Sequence, residues 1–244
     1  MAGPSAITTG SFVLVVLAVA VLFMVTWWKA CADGARPVPG GSWLSVPLLV
    51  LAGWLALPGV LARVGALDRY APLPAPALIL VGVISIGTVA LALSPVGARI
   101  ASTVPLAGLV VFHVFRVPVE LLLQRLYVEG VIPVEMTYAG RNFDIVTGLT
   151  AAALALFLRS RRGMRWLVLA WNLLGIALLA NIVIVAVLST PVPFRAFADG
   201  PPNLLPSTFP YVWLPTFLVQ AALFGHLVVF RALARPEAPP AGPA

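Results

Sequence analysis

Seven apolar runs recur along the chain, at residues 11–28, 43–63, 76–95, 104–127, 142–159, 165–189 and 209–231. At 1.5 Å per helical residue, each crosses or nearly crosses a hydrocarbon core of about 30 Å. The pattern predicts an all-α fold, a polytopic membrane helix bundle of seven transmembrane helices. Composition agrees, since only 9% of the 244 residues are charged and 61% are hydrophobic, whereas soluble domains carry about a quarter charged residues. A single transmembrane domain over residues 1–235 is expected, followed by a short Pro/Ala-rich disordered tail at 236–244. The lipid bilayer is therefore the first partner.

Charge placement gives an orientation. With the N-terminus outside, inner segments hold Lys29, Arg36, Arg99, Arg159, Arg161, Arg162, Arg165, Arg231 and Arg235, and outer ones hold Arg63, Arg69, Arg125, Arg141 and Arg195. Nine cations against five place the C-terminus in the cytoplasm. The net charge of +7 arises from these span-end residues and not from a basic face with stacking aromatics, so no nucleic-acid partner is implied. The first run could be a signal peptide ending near Ala30-Cys31-Ala32, but its first cation, Lys29, follows the apolar stretch instead of preceding it. An uncleaved first helix is the reading adopted. The lone Cys31 excludes an internal disulfide and cysteine-based metal motifs.

One run differs from the rest. Residues 103–128 carry His113, Arg116, Glu120, Gln124 and Tyr127, spaced three, four, four and three apart. On a helix these fall within an arc of about 80°. An ionised group at mid-bilayer costs at least about 2.5–3.5 kcal/mol on insertion scales, so such a stripe calls for partners. Arg116 and Glu120 can offset each other as an i, i+4 pair, although Arg before Glu is the weaker order. Pro118 cannot donate to the carbonyl of Val114, which predicts a kink.

Span 5 opens with Arg141, Asn142, Phe143 and Asp144 at a depth comparable to that of Gln124 and Glu120. Crossed pairs of Asp144 with Arg116 or Arg125, and of Arg141 with Glu120, are expected. They could equally be staples between two helices. Asn172 and Asn181 in span 6 lie on opposite faces, and Asn181 is preferred for the site because of its depth. His226 in span 7 is expected near the inner end, as a packing residue and not a partner of His113. The ligand-binding set is then His113, Arg116, Glu120, Gln124, Arg141, Asn142, Asp144 and Asn181. The outer connections 128–141 and 190–208 are long enough to be lids over it, or plain surface loops.

No metal is expected: H-E-x-x-H spacing is missing, and Arg116 would repel a cation from His113, Glu120 and Asp144. Haem held by the two histidines fails on depth, retinal fails for want of a lysine in span 7, and a serine hydrolase lacks its G-x-S-x-G elbow. The sequence assigns no cofactor.

The segments His113-Val-Phe-Arg116-Val-Pro118-Val-Glu120, Met136-Thr-Tyr-Ala-Gly140-Arg141-Asn142-Phe143-Asp144 and Phe209-Pro-Tyr-Val-Trp213-Leu-Pro215 with Gly225-His226-Leu resemble an uncharacterised bacterial family of small multi-helix membrane proteins. That pattern has Glu where this chain has Ala139 and Ser where it has Gly225. The resemblance implies a multi-pass protein of the bacterial inner membrane and supplies no activity. From the residues themselves, the expected function is binding or transport of a small polar or anionic molecule, or of protons, at a site open to the outer side. The alternatives are a membrane-embedded enzyme using His113, Glu120 and Asp144, or an accessory subunit whose charges only pair helices.

Overall fold

The computed structural model describes residues 3–32, 42–71, 73–160 and 164–235. The orientation signals expected at Arg36, Arg161 and Arg162, and the disorder expected of the tail 236–244, lie outside the described residues. Among the described residues the regular structure is helical: α1 (Ala6–Ala32), α2 (Ser42–Arg63), α3 (Pro76–Leu93), α4 (Pro95–Thr103), α5 (Leu106–Val111), α6 (Arg116–Val128), α7 (Ile145–Ser160), α8 (Arg165–Ser189) and α9 (Val219–Leu233). Six helical stretches are long and apolar enough to cross a membrane, and Ile145–Leu158 is a shorter apolar helix. Large apolar side chains such as Ile7, Leu49, Ile86 and Leu156 are two-thirds exposed or more. Exposed apolar surface on this scale fits lipid as the solvent.

The stretch Leu214–Leu233, which contains α9, is the hub, 61% buried where the α2 and α3 spans are only 17% buried. It packs against α3, α4, α5 and α8, while α1 rests on α4 and α6. The short α4 was not foreseen in the sequence. Ser94 caps it, its Oγ accepting the N–H of Val96 at 3.1 Å, and Pro95 occupies the first helical position.

Helix ends decide much of the architecture, because the last carbonyls of a helix have no partner of their own. At one end of the bundle three arginines supply them. Arg99 Nε donates to Ala30 O at the end of α1 (2.8 Å), and Arg231 Nη1 donates to Ala92 O and Ser94 O at the end of α3 (2.5 and 2.8 Å). Arg165 Nη2 donates to Leu233 O and Arg235 O at the end of α9, both at 2.6 Å. Each cation sits where the helix dipole is negative.

The opposite end carries the mirror arrangement. Ser5 caps α1, with Oγ accepting the N–H of Thr8 at 3.2 Å. The position three residues after the cap, where a capping box would place Glu, is Thr8. Glu129, at the end of α6, takes that role from across the bundle. Its Oε2 accepts the Ser5 N–H at 2.9 Å, and its Oε1 accepts from Ser5 Oγ at 2.8 Å and Thr8 Oγ1 at 2.7 Å.

Two departures from α-geometry set the phase of the helices at the centre. Phe112–Phe115 is a 3-10 turn between α5 and α6, just ahead of Pro118, which lies in the first turn of α6. Leu214–Leu218 is a π-helical turn at the start of the hub. Its loosened carbonyls are met by side chains: Trp54 Nε1 donates to Thr216 O, and Gln220 Nε2 to Pro215 O, both at 2.8 Å.

Candidate functional site

Arg116, the first residue of α6, is 2% exposed and stands at the centre of a buried polar cluster. Its Nε donates to Asp144 Oδ2 at 2.6 Å and its Nη2 to Asp144 Oδ1, the two-pronged geometry that suits guanidinium and carboxylate. The third nitrogen, Nη1, donates to His226 Nε2 at 2.9 Å. A guanidinium has no acceptor, so Nε2 must be the accepting nitrogen and the proton sits on Nδ1. That N–H donates to Asn172 Oδ1 at 2.8 Å, and Asn172 Nδ2 donates in turn to the carbonyl of His226 at 3.1 Å. The chain Asp144–Arg116–His226–Asn172 is thus fully paired and links α6, α7, α8 and α9.

The start of α7 is built around the second carboxylate. The expected span 142–159 begins as helix only at Ile145, because Asn142 Oδ1 accepts the Asp144 N–H at 3.1 Å and holds those residues in a turn. Asn142 Nδ2 then reaches Glu120 Oε2 at 2.6 Å and Met136 O at 3.1 Å. Gly148, one turn into α7, permits this closeness to α6, since a Cβ there would meet Val117 Cγ2 at 2.8 Å.

The histidines are a correction to the sequence reading. His113 and His226 lie against each other, ring centroids 4.1 Å apart and planes tilted by 36°, both wholly buried. The edge of His113 also meets Trp171 at 5.3 Å. Neither His113 nitrogen has a hydrogen-bond partner among the described residues. The preference for Asn181 over Asn172 is likewise reversed, for Asn181 Nδ2 donates to Arg141 O at 2.7 Å, away from Arg116. Arg141 faces the ring of Phe197 at 5.2 Å and makes no ion pair with Glu120. Arg125 pairs with Glu129 instead of Asp144. Gln124 joins none of these bonds, and its Oε1 is unpartnered among the described residues.

Of the eight residues expected to bind a ligand, Arg116, Glu120, Asn142 and Asp144 form one connected group, with His113 against it through His226. Gln124, Arg141 and Asn181 stand outside it. Asn172 and His226 were weighed in the sequence and set aside, although each histidine faces a glycine on its neighbour, the small-residue signal of closely packed membrane helices.

A cavity of about 90 Å³ reaches the group. Its wall is mainly apolar, with Phe115, Leu179, Ile182 and Leu218 among the lining side chains. Arg116, Glu120 and Asp144 are among its few polar members, and Met136, Thr190 and Asn203 come from or border the two long connections. Among the described residues no cluster of three or more metal-ligating side chains occurs. A protein family described as a domain of unknown function (DUF8737) matches residues 73–234, which includes every residue of the cluster. No curated protein and no solved structure matches the chain.

Proposed function

The chain belongs to that family of unknown function, which brings no activity with it, and from the site itself we propose that it is a seven-span membrane protein that binds and passes protons, or a small polar molecule, at its intramembrane cluster. In this reading the N-terminus is outside, the C-terminus is cytoplasmic, and the membrane is the bacterial inner membrane. The Glu129 end, where connections 128–141 and 190–208 meet the cavity, is then the outer face.

One observation carries the reading. Of two buried carboxylates, Asp144 takes the Arg116 guanidinium and Glu120 is bonded only by the amide of Asn142, on the cavity wall. Glu120 has no cation bonded to it, so it can hold a proton or accept from a small donor, and Arg116, already engaged by Asp144, offers an anion no open counter-charge. Size points the same way. A cavity of about 90 Å³ has room for a few waters, well short of the roughly 300–1,000 Å³ of pockets for drug-sized ligands. An enzyme using His113 as acid–base partner of Glu120 or Asp144 has less support, because no hydrogen bond joins His113 to either carboxylate.

The test is proton entry into liposomes holding the full chain and a trapped pH dye, under an imposed potential. Wild type should acidify the lumen faster than protein-free liposomes, and Glu120→Gln should abolish the difference while retaining the folded helical signal. Equal rates for wild type and empty liposomes, or full flux through folded Glu120→Gln, would leave the cluster as a staple between helices.

A further inference from the structure

A second cavity, apart from the charged cluster, opens among α1, α2, α3 and the π-turn of the hub. It holds about 480 Å³ and is walled by apolar side chains, five of them aromatic: Phe23, Trp27, Trp54, Phe217 and Phe224. Two polar side chains of interest face it, Thr88 and Gln220. The Thr88 hydroxyl is engaged with Ile84 O at 3.0 Å. Gln220 is different. Its Nε2 is committed twice, to Pro215 O at 2.8 Å and to Ser85 Oγ at 3.1 Å, and Ser85 Oγ itself donates to Val81 O. A carbonyl oxygen can only accept, so the amide cannot be turned round. Gln220 Oε1 is left buried, without a partner among the described residues, in a side chain only 3% exposed.

We propose that this cavity binds a neutral, membrane-dissolved phenol or alcohol, its apolar body among the aromatic rings and its hydroxyl donated to Gln220 Oε1. The orphaned atom is an acceptor, so the ligand must bring a donor; a ketone or a quinone in its oxidised form does not fit. Depth excludes a charged lipid headgroup. Gln220 is the seventh residue of the Leu214–Leu233 span, roughly 10 Å along it at 1.5 Å per residue. An ionic group drawn that far into hydrocarbon would lose its water, whereas one hydroxyl with one acceptor is satisfied there. The volume suits a ring with an alkyl or fused apolar body, and the quadrupolar faces of the indoles and phenyls favour such a ring over a bare acyl chain.

The experiment uses the full chain in nanodiscs and two probes, a decylphenol brominated at its chain end and the methyl ether of the same compound. Bromine quenches tryptophan fluorescence, and Trp27 and Trp54 line the cavity. Saturable quenching is expected, with the phenol binding about three- to tenfold more tightly than the ether, the worth of one net hydrogen bond. Gln220→Met should bring the two probes level, and Leu51→Phe, which narrows the cavity, should weaken both. Equal binding of phenol and ether by wild type would overturn the proposal. So would quenching that never saturates and ignores Leu51→Phe, which would make the cavity mere space for lipid chains. Should Gln220→Met fail to fold because Pro215 O loses its cap, the wild-type comparison and Leu51→Phe decide alone.

Discussion

The ring of His113 lies over that of His226 with 4.1 Å between centroids, and each ring is seated against a glycine of a neighbouring helix. A Cβ on Gly225 would stand 2.7 Å from His113 Nε2, and one on Gly175 would stand 2.4 Å from His226 Cε1 and 2.9 Å from Thr147 Cγ2. Neither ring has room to retreat, since both are wholly buried. Gly225→Ala and Gly175→Ala should each destabilise by about 1–3 kcal/mol, the usual cost of overpacking. Gly82→Ala, where nothing lies within 4 Å, is the control and should gain slightly from helix propensity. Thermal unfolding in detergent reads all three. Destabilisation by Gly82→Ala as large as by the other two would remove the steric argument.

Arg116 and Asp144 should behave as a buried pair. Arg116→Met leaves Asp144 and Glu120 without a cation and removes the donor to His226 Nε2, which predicts a loss of about 3–5 kcal/mol. Asp144→Asn alone should cost less, because one amide oxygen still accepts from the guanidinium. The Arg116→Met, Asp144→Asn double variant should recover part of the Arg116→Met loss. Arg116→Lys should fail to rescue, as one ammonium cannot serve two carboxylate oxygens and an imidazole in the same plane. Additive single effects in this cycle would show that the two side chains do not act as a unit.

The arginines at the far end of the bundle yield a separate expectation. Arg231 covers two terminal carbonyls of α3, so Arg231→Met should uncap that helix and lower stability by about 1–2 kcal/mol, while Arg231→Lys should retain part of it. Hydrogen exchange at the end of α3 should rise in Arg231→Met and stay unchanged at the end of α1, which Arg99 covers. A uniform rise at both ends would mean that the loss is global and not one of capping.

Six membrane-length apolar helices and the Arg116–Asp144 pair, one of two pairings expected for Asp144, were legible in the sequence because long apolar runs and an isolated Arg in one of them have few physical solutions. The contact between the histidines was not. Phase arithmetic assumes 100° per residue along each run, and both histidines follow or sit within segments that break it. The 3-10 turn at Phe112–Phe115 contains His113, and the π-turn at Leu214–Leu218 lies two turns before His226. Each changes the residues per turn and the rise, so depth and facing estimated from a uniform helix were displaced for both partners. The choice of Asn181 over Asn172 failed with them, having been made by depth relative to Glu120. The opening of α7 was misjudged for another reason. Asn142 and Asp144 prefer local side-chain bonding to a helical start, and the turn they form delivers Asn142 to Glu120.

Glu129 gives a pH dependence whose sign is set by its contacts. Burial alone would push its carboxyl upward, but the Ser5 N–H, the hydroxyls of Thr8 and Ser5, and Arg125 outweigh burial and hold it at about 2, below the ordinary 4.5. A depressed folded-state pKa means that the folded protein resists a proton which the unfolded chain accepts. The stability Glu129 contributes is therefore complete above about 4.5 and is lost as pH falls toward about 2. Other carboxylates titrate in the same window, so the measurement is a difference: the slope of unfolding midpoint against pH should be shallower in Glu129→Gln than in wild type. Ser5→Ala, which removes one of the hydroxyl donors, should fall between them. Arg125 is 60% exposed, and its bond to Glu129 is screened, so Arg125→Ala should leave the slope nearly intact. The ordering matters more than any single value. Were Arg125→Ala to flatten the curve as far as Glu129→Gln does, the carboxylate would be held by a surface ion pair, and its role at the cap of α1 would be lost.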